Sequence, residues 1–270
     1  MDAILGDIPR VFVYIDDILV ASETPEQHLE DLACVFKILA ENGLVVNRDK
    51  CILGKESLDF LGYRVDANGI APLEDRVSAI QEMKPPKTIK DLQSYLGVLN
   101  YYRRFIKHAA HHLYPLYNCL KGKPKSLQWT TECQKAFEDS KAALAAATLL
   151  HHPIPGAPLA LTTDASKRAL GGTLEQCGPS GWEPLAFYSK KLQPNQTRWP
   201  PYDRELLAAF QSVRHFKYMV EGQNFTLYSD HQSLVPSTSK KIRSSNGTAD
   251  LPAGMHFGIH NGYPLRRRKG

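Results

Sequence analysis

Asp16 and Asp17 stand side by side inside an apolar run, with Val11-Phe12-Val13 and Tyr14-Ile15 before them and Ile18-Leu19-Val20 after. An unpaired buried carboxylate is expensive to desolvate, and two adjacent ones repel each other. The pair therefore belongs at a hairpin tip, turned either to solvent as an ordinary surface turn or to a cation such as magnesium bound to a triphosphate. Three further acids end or face apolar segments: Asp164 after Leu159–Thr163, Glu205 in a helical stretch, and Asp230 after Leu227-Tyr228-Ser229. Singly, each fits a capping or surface acid. Folded together, strand-end aspartates and a helix glutamate make an oxygen-rich cluster suited to Mg2+ or Mn2+. Two such ions can activate water and stabilise the leaving oxygen of a phosphodiester. Tyr101-Tyr102-Arg103-Arg104-Phe105-Ile106-Lys107 interleaves aromatics with cations. That mixture suits phosphate contact plus stacking, and equally an amphipathic helix that buries its aromatics.

The elements that would carry these residues follow from periodicity. Leu29, Leu32, Ala33, Phe36 and Leu39 recur at helical spacing and end at Asn42-Gly43, which predicts a helix across a sheet. Leu44–Val46, Leu58–Val65 and the Asn68-Gly69 turn into Ile70 read as strands and a hairpin. Asp75–Met83 and Ile89–Leu120 are helical by period and parted by Pro85-Pro86. A helix over Cys133–Ala147 has Thr130 or Thr131 as its cap. Strands at Leu159–Thr163, Ala169–Gln176 and Leu185–Ser189, a helix over Asp203–Val220 and a strand at Phe225–Ser229 complete the order.

The chain has 270 residues, 43% hydrophobic and 23% charged, enough for more than one core. No run approaches the ~18 consecutive apolar residues of a membrane span, and the first residues lack the pattern of a secretory signal, so neither membrane nor export is indicated. An intracellular location, cytoplasmic or nuclear, is the expectation. A net charge of +5 is too mild to assign a nucleic-acid partner by itself. Five scattered cysteines without a C-x-x-C pair argue against a disulfide framework and a zinc site, and read as reduced and mostly buried. His108, His111, His112 and the pair His151-His152 read as helix-surface and loop residues.

The stretch Phe12–Val20 resembles the catalytic hairpin in the palm of reverse transcriptases, most closely those of gypsy-type LTR retrotransposons. Asn47–Cys51 and Phe60–Val65 resemble the palm segments that follow it, and Leu92–Ile106 resembles the thumb helix. Trp129 and Phe137 fit the connector. Leu161–Ser166 with Leu170–Leu174, Tyr188–Leu192, Tyr202–Ala208 and Tyr228–Leu234 resemble the ribonuclease H motifs of the same polyproteins, in the same order. The resemblance covers about residues 1–236 and implies an α+β multidomain fold. Its parts would be a palm fragment (1–72), a helical thumb (73–122), a connection (123–155), an incomplete ribonuclease H-like mixed sheet with helices (156–236) and a divergent tail (237–270). It implies Asp16 and Asp17 as polymerase metal ligands, Tyr14 near the primer terminus and Lys50 near the incoming nucleotide. It implies Phe60, Leu61 and Gly62 at the primer end, and Tyr102, Arg103 and Arg104 along the duplex. Asp164, Glu205 and Asp230 would be the ribonuclease carboxylates. Mg2+ or Mn2+, RNA–DNA hybrid, primer-template duplex and other Pol products are the implied cofactors and partners.

Two departures qualify the resemblance. Tyr14 lies close to the first residue, whereas the family carries fingers and another metal-binding aspartate upstream; Asp2 and Asp7 do not match that aspartate's context. The expectation is that this chain alone does not polymerise and that its ribonuclease activity is impaired, a non-catalytic binding remnant being the alternative and an unstable product of a degenerate element a third. Ser244–Gly270 resembles nothing in the family. Back-translated and read one nucleotide later, His256–Gly270 yields a string of family type, so a shifted frame is expected and Arg266-Arg267-Arg268-Lys269 would be its accident. The competing reading of that tetrad is nuclear import or RNA binding. Asp250 has turn context and does not replace the family's fourth carboxylate. Losing the last strand would leave a sheet edge exposed.

Overall fold

Arg10 and Asp31 hold the first part of the molecule together. The computed structural model describes residues 1–122 and 124–229, and the backbone of 243–244, 247–248 and 256–261. It divides into two compact units, Met1–Ala67 and Asn68–Gly270.

In the first unit, α1 (Asp2–Leu5) leads into the hairpin β1 (Val11–Tyr14) and β2 (Asp17–Val20), and α2 (Pro25–Glu41) follows. Thr24 caps α2 by accepting from the Gln27 amide at 3.2 Å. The helix ends as expected, with Asn42 at the cap and Gly43 at φ 70°. Leu5, Val11, Val35 and Leu39 form the buried centre, ringed by Ile4, Ile8, Val13, Ile18, Val20 and Ile38. The buried face of α2 is therefore Asp31, Val35 and Leu39, whereas Leu29 is 70% and Phe36 41% exposed. Leu44–Val46 is irregular chain and not a strand, with Val45 exposed. Beyond a 3-10 turn at Arg48–Lys50, β3 (Ser57–Phe60) pairs antiparallel with β4 (Tyr63–Asp66). Leu61 and Gly62 bridge them at φ 49° and 74°; positive φ at both central positions is the type I′ geometry that matches strand twist.

In the second unit, β5 (Gly69–Pro72) makes an antiparallel bridge from Ile70 to Leu150. A side chain at Gly69 would strike the Leu150 carbonyl at 2.1 Å, so only glycine admits this approach. Next come α3 (Glu74–Gln81), α4 (Ile89–Tyr102), α5 (Ala109–Cys119) and α6 (Thr131–Ala145). Thr88 and Asp91 form a reciprocal capping box on α4. The continuous helix expected over Ile89–Leu120 is broken by a 3-10 turn at Arg103–Phe105 and by His108 at φ 56°. Thr130 caps α6, accepting from the Cys133 amide. Tyr95 of α4 reaches Ser140 Oγ of α6 at 2.7 Å, and its ring lies 4.6 Å from that of Phe137.

A mixed sheet completes this unit. Its first members are β6 (Leu159–Ala165), β7 (Ala169–Gly178) and β8 (Gly181–Lys191), successively antiparallel. Helices α7 (Pro201–His215) and α8 (Lys217–Val220) precede β9 (Asn224–Ser229), which returns parallel to β6. Leu159, Leu161, Leu174, Leu185, Phe225 and Leu227 close over Leu206, Ala209 and Val213 of α7. After the short strands β10 (Arg243–Ser244) and β11 (Gly247–Thr248), β12 (His256–Asn261) runs parallel to β9, pairing His256 with Asn224 and Asn261 with Ser229. The expected bare edge is thus covered by the divergent tail, because ladder pairing uses backbone groups and needs no family side chains.

Cys34 and Cys177 are exposed rather than buried. The sulfurs of Cys119 and Cys133 meet, a pairing not foreseen from the scattered count. Their Cα atoms are 7.7 Å apart, outside the ~4.4–6.8 Å span of ordinary disulfides. Among the described residues no helix is long and apolar enough to cross a membrane.

Candidate active sites

Tyr14 and Asp17 face each other across the β1–β2 ladder, which leaves Ile15 and Asp16 as a two-residue loop. Ile15 takes φ 55°, the positive value that the first loop position of a type II′ turn demands. For a β-branched residue this conformation costs ~1–3 kcal/mol. In return, Asp16 and Asp17 stand exposed at the tip beside the exposed Tyr14.

The base of the hairpin is clamped. Arg10 Nε and Nη2 donate to the Asp31 carboxylate at 2.9 and 2.7 Å, and Ser22 Oγ donates to it at 2.7 Å. Arg10 precedes β1 and Ser22 follows β2, so one buried carboxylate on α2 fixes both ends of the hairpin. These donors hold the Asp31 carboxyl well below the usual carboxylate range. Sequence reasoning passed over this pair, although a lone acid on the apolar face of α2 was its signal.

Lys50 lies exposed in the Arg48–Lys50 turn, and Phe60, Leu61 and Gly62 occupy the half-buried tip of the β3–β4 hairpin.

Register in the second unit brings Asp164 of β6, Gly171 of β7 and Ser189 of β8 abreast. Their immediate neighbours Thr163 and Gly172 form the next rung, and a Cβ on Gly172 would meet Ser212 of α7, so the Asp164 rung faces away from α7. Glu205 approaches from α7: its Oε1 accepts from the Ala165 amide at 3.0 Å, one residue past Asp164. Glu205 is 6% exposed and Asp164 half-buried. Glu205 thus bonds the backbone one residue past Asp164 at the end of β6, while Asp230 lies outside the described residues. Asp164 and Glu205 both supply hard oxygen donors of the kind a divalent cation takes. Among the described residues no group of three His, Cys, Asp or Glu side chains forms a metal-ligand set.

Two neighbours were not foreseen. The His108 imidazole sits over Gly171, its Nδ1 3.4 Å from where a Cβ would stand there. Burial pushes this imidazole below its ordinary pKa, Lys107 adds to that, and Asp164 opposes it. Arg204, next to Glu205 and 8% exposed, has its Nε and Nη1 buried without hydrogen-bond partners among the described residues. A buried guanidinium with unspent donors is costly, which marks the position as one suited to an anion.

Of the aromatic-cationic segment, Tyr102 is 5% exposed and packs inward, so Tyr101 is its exposed aromatic. Arg103 donates to the Ser189 carbonyl, and Ala110 N donates to Ser189 Oγ at 3.0 Å, tying the start of α5 to β8. Arg104 remains exposed, its guanidinium 5.7 Å from the Phe105 ring centre.

Residues 1–65 match the family described as reverse transcriptase (RNA-dependent DNA polymerase), and residues 129–227 match the RNase H-like domain found in reverse transcriptase. The second match begins at Trp129 and so includes α6. The transposon Tf2-3 polyprotein of Schizosaccharomyces pombe is 30% identical over 251 residues, 91% of this chain and 19% of that protein. The Tf2-7 polyprotein of the same organism is 29% identical over the same share. The chain thus spans about a fifth of the length of these relatives. The foamy viral protease-reverse transcriptase in complex with RNA/DNA hybrid superposes with a TM-score of 0.78 at 26% identity, covering 100% of this chain and 38% of that one. The same viral enzyme, in a dRH form in complex with double-stranded DNA, gives 0.78 at 25% identity, covering 98% and 48%. This chain thus joins a reverse transcriptase segment at residues 1–65 to an RNase H-like domain at residues 129–227.

Proposed function

We propose that the chain is part of a gypsy-type LTR retrotransposon Pol protein whose second unit cleaves the RNA strand of RNA–DNA hybrids. The observation that carries this reading is the hydrogen bond from the Ala165 amide to Glu205 Oε1, which anchors a helix carboxylate to the backbone one residue from Asp164. Asp164 and Glu205, with Asp230, would hold Mg2+ or Mn2+, which supplies activation of water and charge stabilisation on the leaving oxygen. Arg204 would contact a backbone phosphate through its unspent donors. In the first unit Asp16 and Asp17 are the metal-facing tip of the polymerase hairpin, with Tyr14 beside the primer terminus and Lys50 near the nucleotide. Phe60–Gly62, Arg104 and Tyr101 would lie along a primer-template duplex. The solved enzyme of like fold with an RNA/DNA hybrid bound supports the substrate class.

The test is cleavage of a labelled hybrid by the full chain with Mg2+, beside Asp164→Asn and Glu205→Gln. Metal-dependent cutting that falls by orders of magnitude in both variants is expected. Hybrid binding without cutting would assign the chain to a non-catalytic module instead. Primer extension in the same preparations, with Asp16→Asn and Asp17→Asn as controls, reads the first unit separately.

A further inference from the structure

We propose that the uncovered face of α2 is a self-association surface on which a second copy of this chain docks antiparallel, across a two-fold axis. Leu29, Ala33, Phe36 and Ala40 are spaced four, three and four apart, and all four are exposed. At about 100° per residue they make one continuous stripe, roughly 120° round the helix from Asp31, Val35 and Leu39. A helix apolar on two stripes buries one on its own unit and keeps the second for a partner.

The order of sizes along the stripe selects the occupant. Leu29 and Ala40 are equidistant from the point between Cys34 and Val35, and so are Ala33 and Phe36. An antiparallel copy centred there sets each large side chain against a small one: Leu29 on the partner's Ala40, and Phe36 on the partner's Ala33. An isologous contact requires this reciprocity, with residue i on j and j on i. Charge obeys the same symmetry. Glu30 and Lys37 flank the stripe on one side, both exposed. Across the axis Lys37 falls within about two residues, ~3 Å of helical rise, of the partner's Glu30. The pair forms twice. Among the described residues Lys37 makes a 4.0 Å contact with the exposed Glu41, which holds it weakly. A 17-residue helix is about 25 Å long. Such a contact falls in the small, exchanging class of interfaces, so association depends on concentration.

Sedimentation equilibrium on the full chain tests this. The expected result is a monomer–dimer equilibrium that Phe36→Glu abolishes. Glu30→Lys and Lys37→Glu each weaken it severalfold, and the double reversal E30K/K37E restores it, because both cross-axis pairs re-form with signs exchanged. All three substituted positions are exposed, and circular dichroism serves to check that each variant remains folded. A chain monomeric at every concentration overturns the proposal, as does a dimer indifferent to Phe36→Glu or a double reversal that fails to rescue. A stripe covered only when a different polypeptide is added overturns it too.

Discussion

Gly172→Ala should damage stability and the ribonuclease site together, because α7 lies against this glycine. A methyl group there would stand 2.4 Å from Ser212 Oγ and 2.8 Å from Ser212 Cβ. The hydroxyl can rotate, but Cβ moves only with the backbone of α7. Restoring an ordinary contact near 3.4–4 Å requires α7 to retreat by about 1 Å, and over-packing of this kind costs ~1–3 kcal/mol. Glu205 rides on α7, two turns before Ser212, and its 3.0 Å bond to the Ala165 amide would stretch beyond hydrogen-bonding range. Urea unfolding should therefore show a loss of ~1–3 kcal/mol, and hybrid cleavage should fall further than the folded fraction does. Ser212→Gly added to Gly172→Ala removes the opposing Cβ and should recover the activity, while the helix glycine itself costs about 1 kcal/mol. Ser212→Ala alone should be neutral or stabilising, since it deletes a buried hydroxyl that has no hydrogen-bond partner among the described residues. Gly172→Ala with wild-type stability and cleavage would refute the reasoning.

Other perturbations test neighbouring parts of the structure. Burial pushes the Tyr95 hydroxyl up to about 12, so the fold favours its neutral form. That contribution is complete below the unfolded value near pH 10 and is lost as the pH rises toward 12, by ~2–3 kcal/mol in all. Tyr95→Phe should cost about 1 kcal/mol at neutral pH. The gap between wild type and variant in urea should close between pH 9 and 11; parallel curves would contradict the assignment. Asp31 has the opposite sign: its carboxyl is held low, so its contribution is present above about pH 4 and lost as the pH falls below that. Protection factors of the β1 and β2 amides should fall on acidification in the wild type, whereas in Asp31→Asn they should be low already at neutral pH and respond less to acid.

The strands around Asp164 were legible because apolar alternation and buried β-sheet coincide there. Leu159, Leu161, Leu174 and Leu227 are all core residues, and each strand falls within a few residues of its expected span. The approach of Glu205 to the end of β6 was legible only through motif order, since nothing in the spacing of Ala165 and Glu205, 40 residues apart, says that one accepts from the amide of the other. The break after Tyr102 was hidden, because a run of helix-forming residues does not reveal that His108 adopts a left-handed conformation. Arg10 and Asp31 are 21 residues apart and appeared as two unrelated charges.

The helix α2 shows why periodicity can name an element and still misplace its face. Leu29, Leu32, Ala33, Phe36 and Leu39 satisfy a helical period, and the helix exists; the face turned inward nonetheless carries Asp31, beside Val35 and Leu39. Hydrophobicity alone ranks Leu29 and Phe36 above Asp31 for burial. The ranking reverses because Arg10, Ser22 and Gln27 all bond to Asp31, making burial of that carboxylate part of how the hairpin is anchored. With that face committed to the clamp, the second stripe remains outside, and its large-small order becomes a constraint on what can cover it. The anchored hairpin carrying Asp16 and Asp17 and the exposed Leu29–Ala40 stripe are thus two consequences of one ion pair. On this reasoning Asp31→Asn, which loosens the clamp, should weaken self-association as well, although Asp31 is not on the stripe.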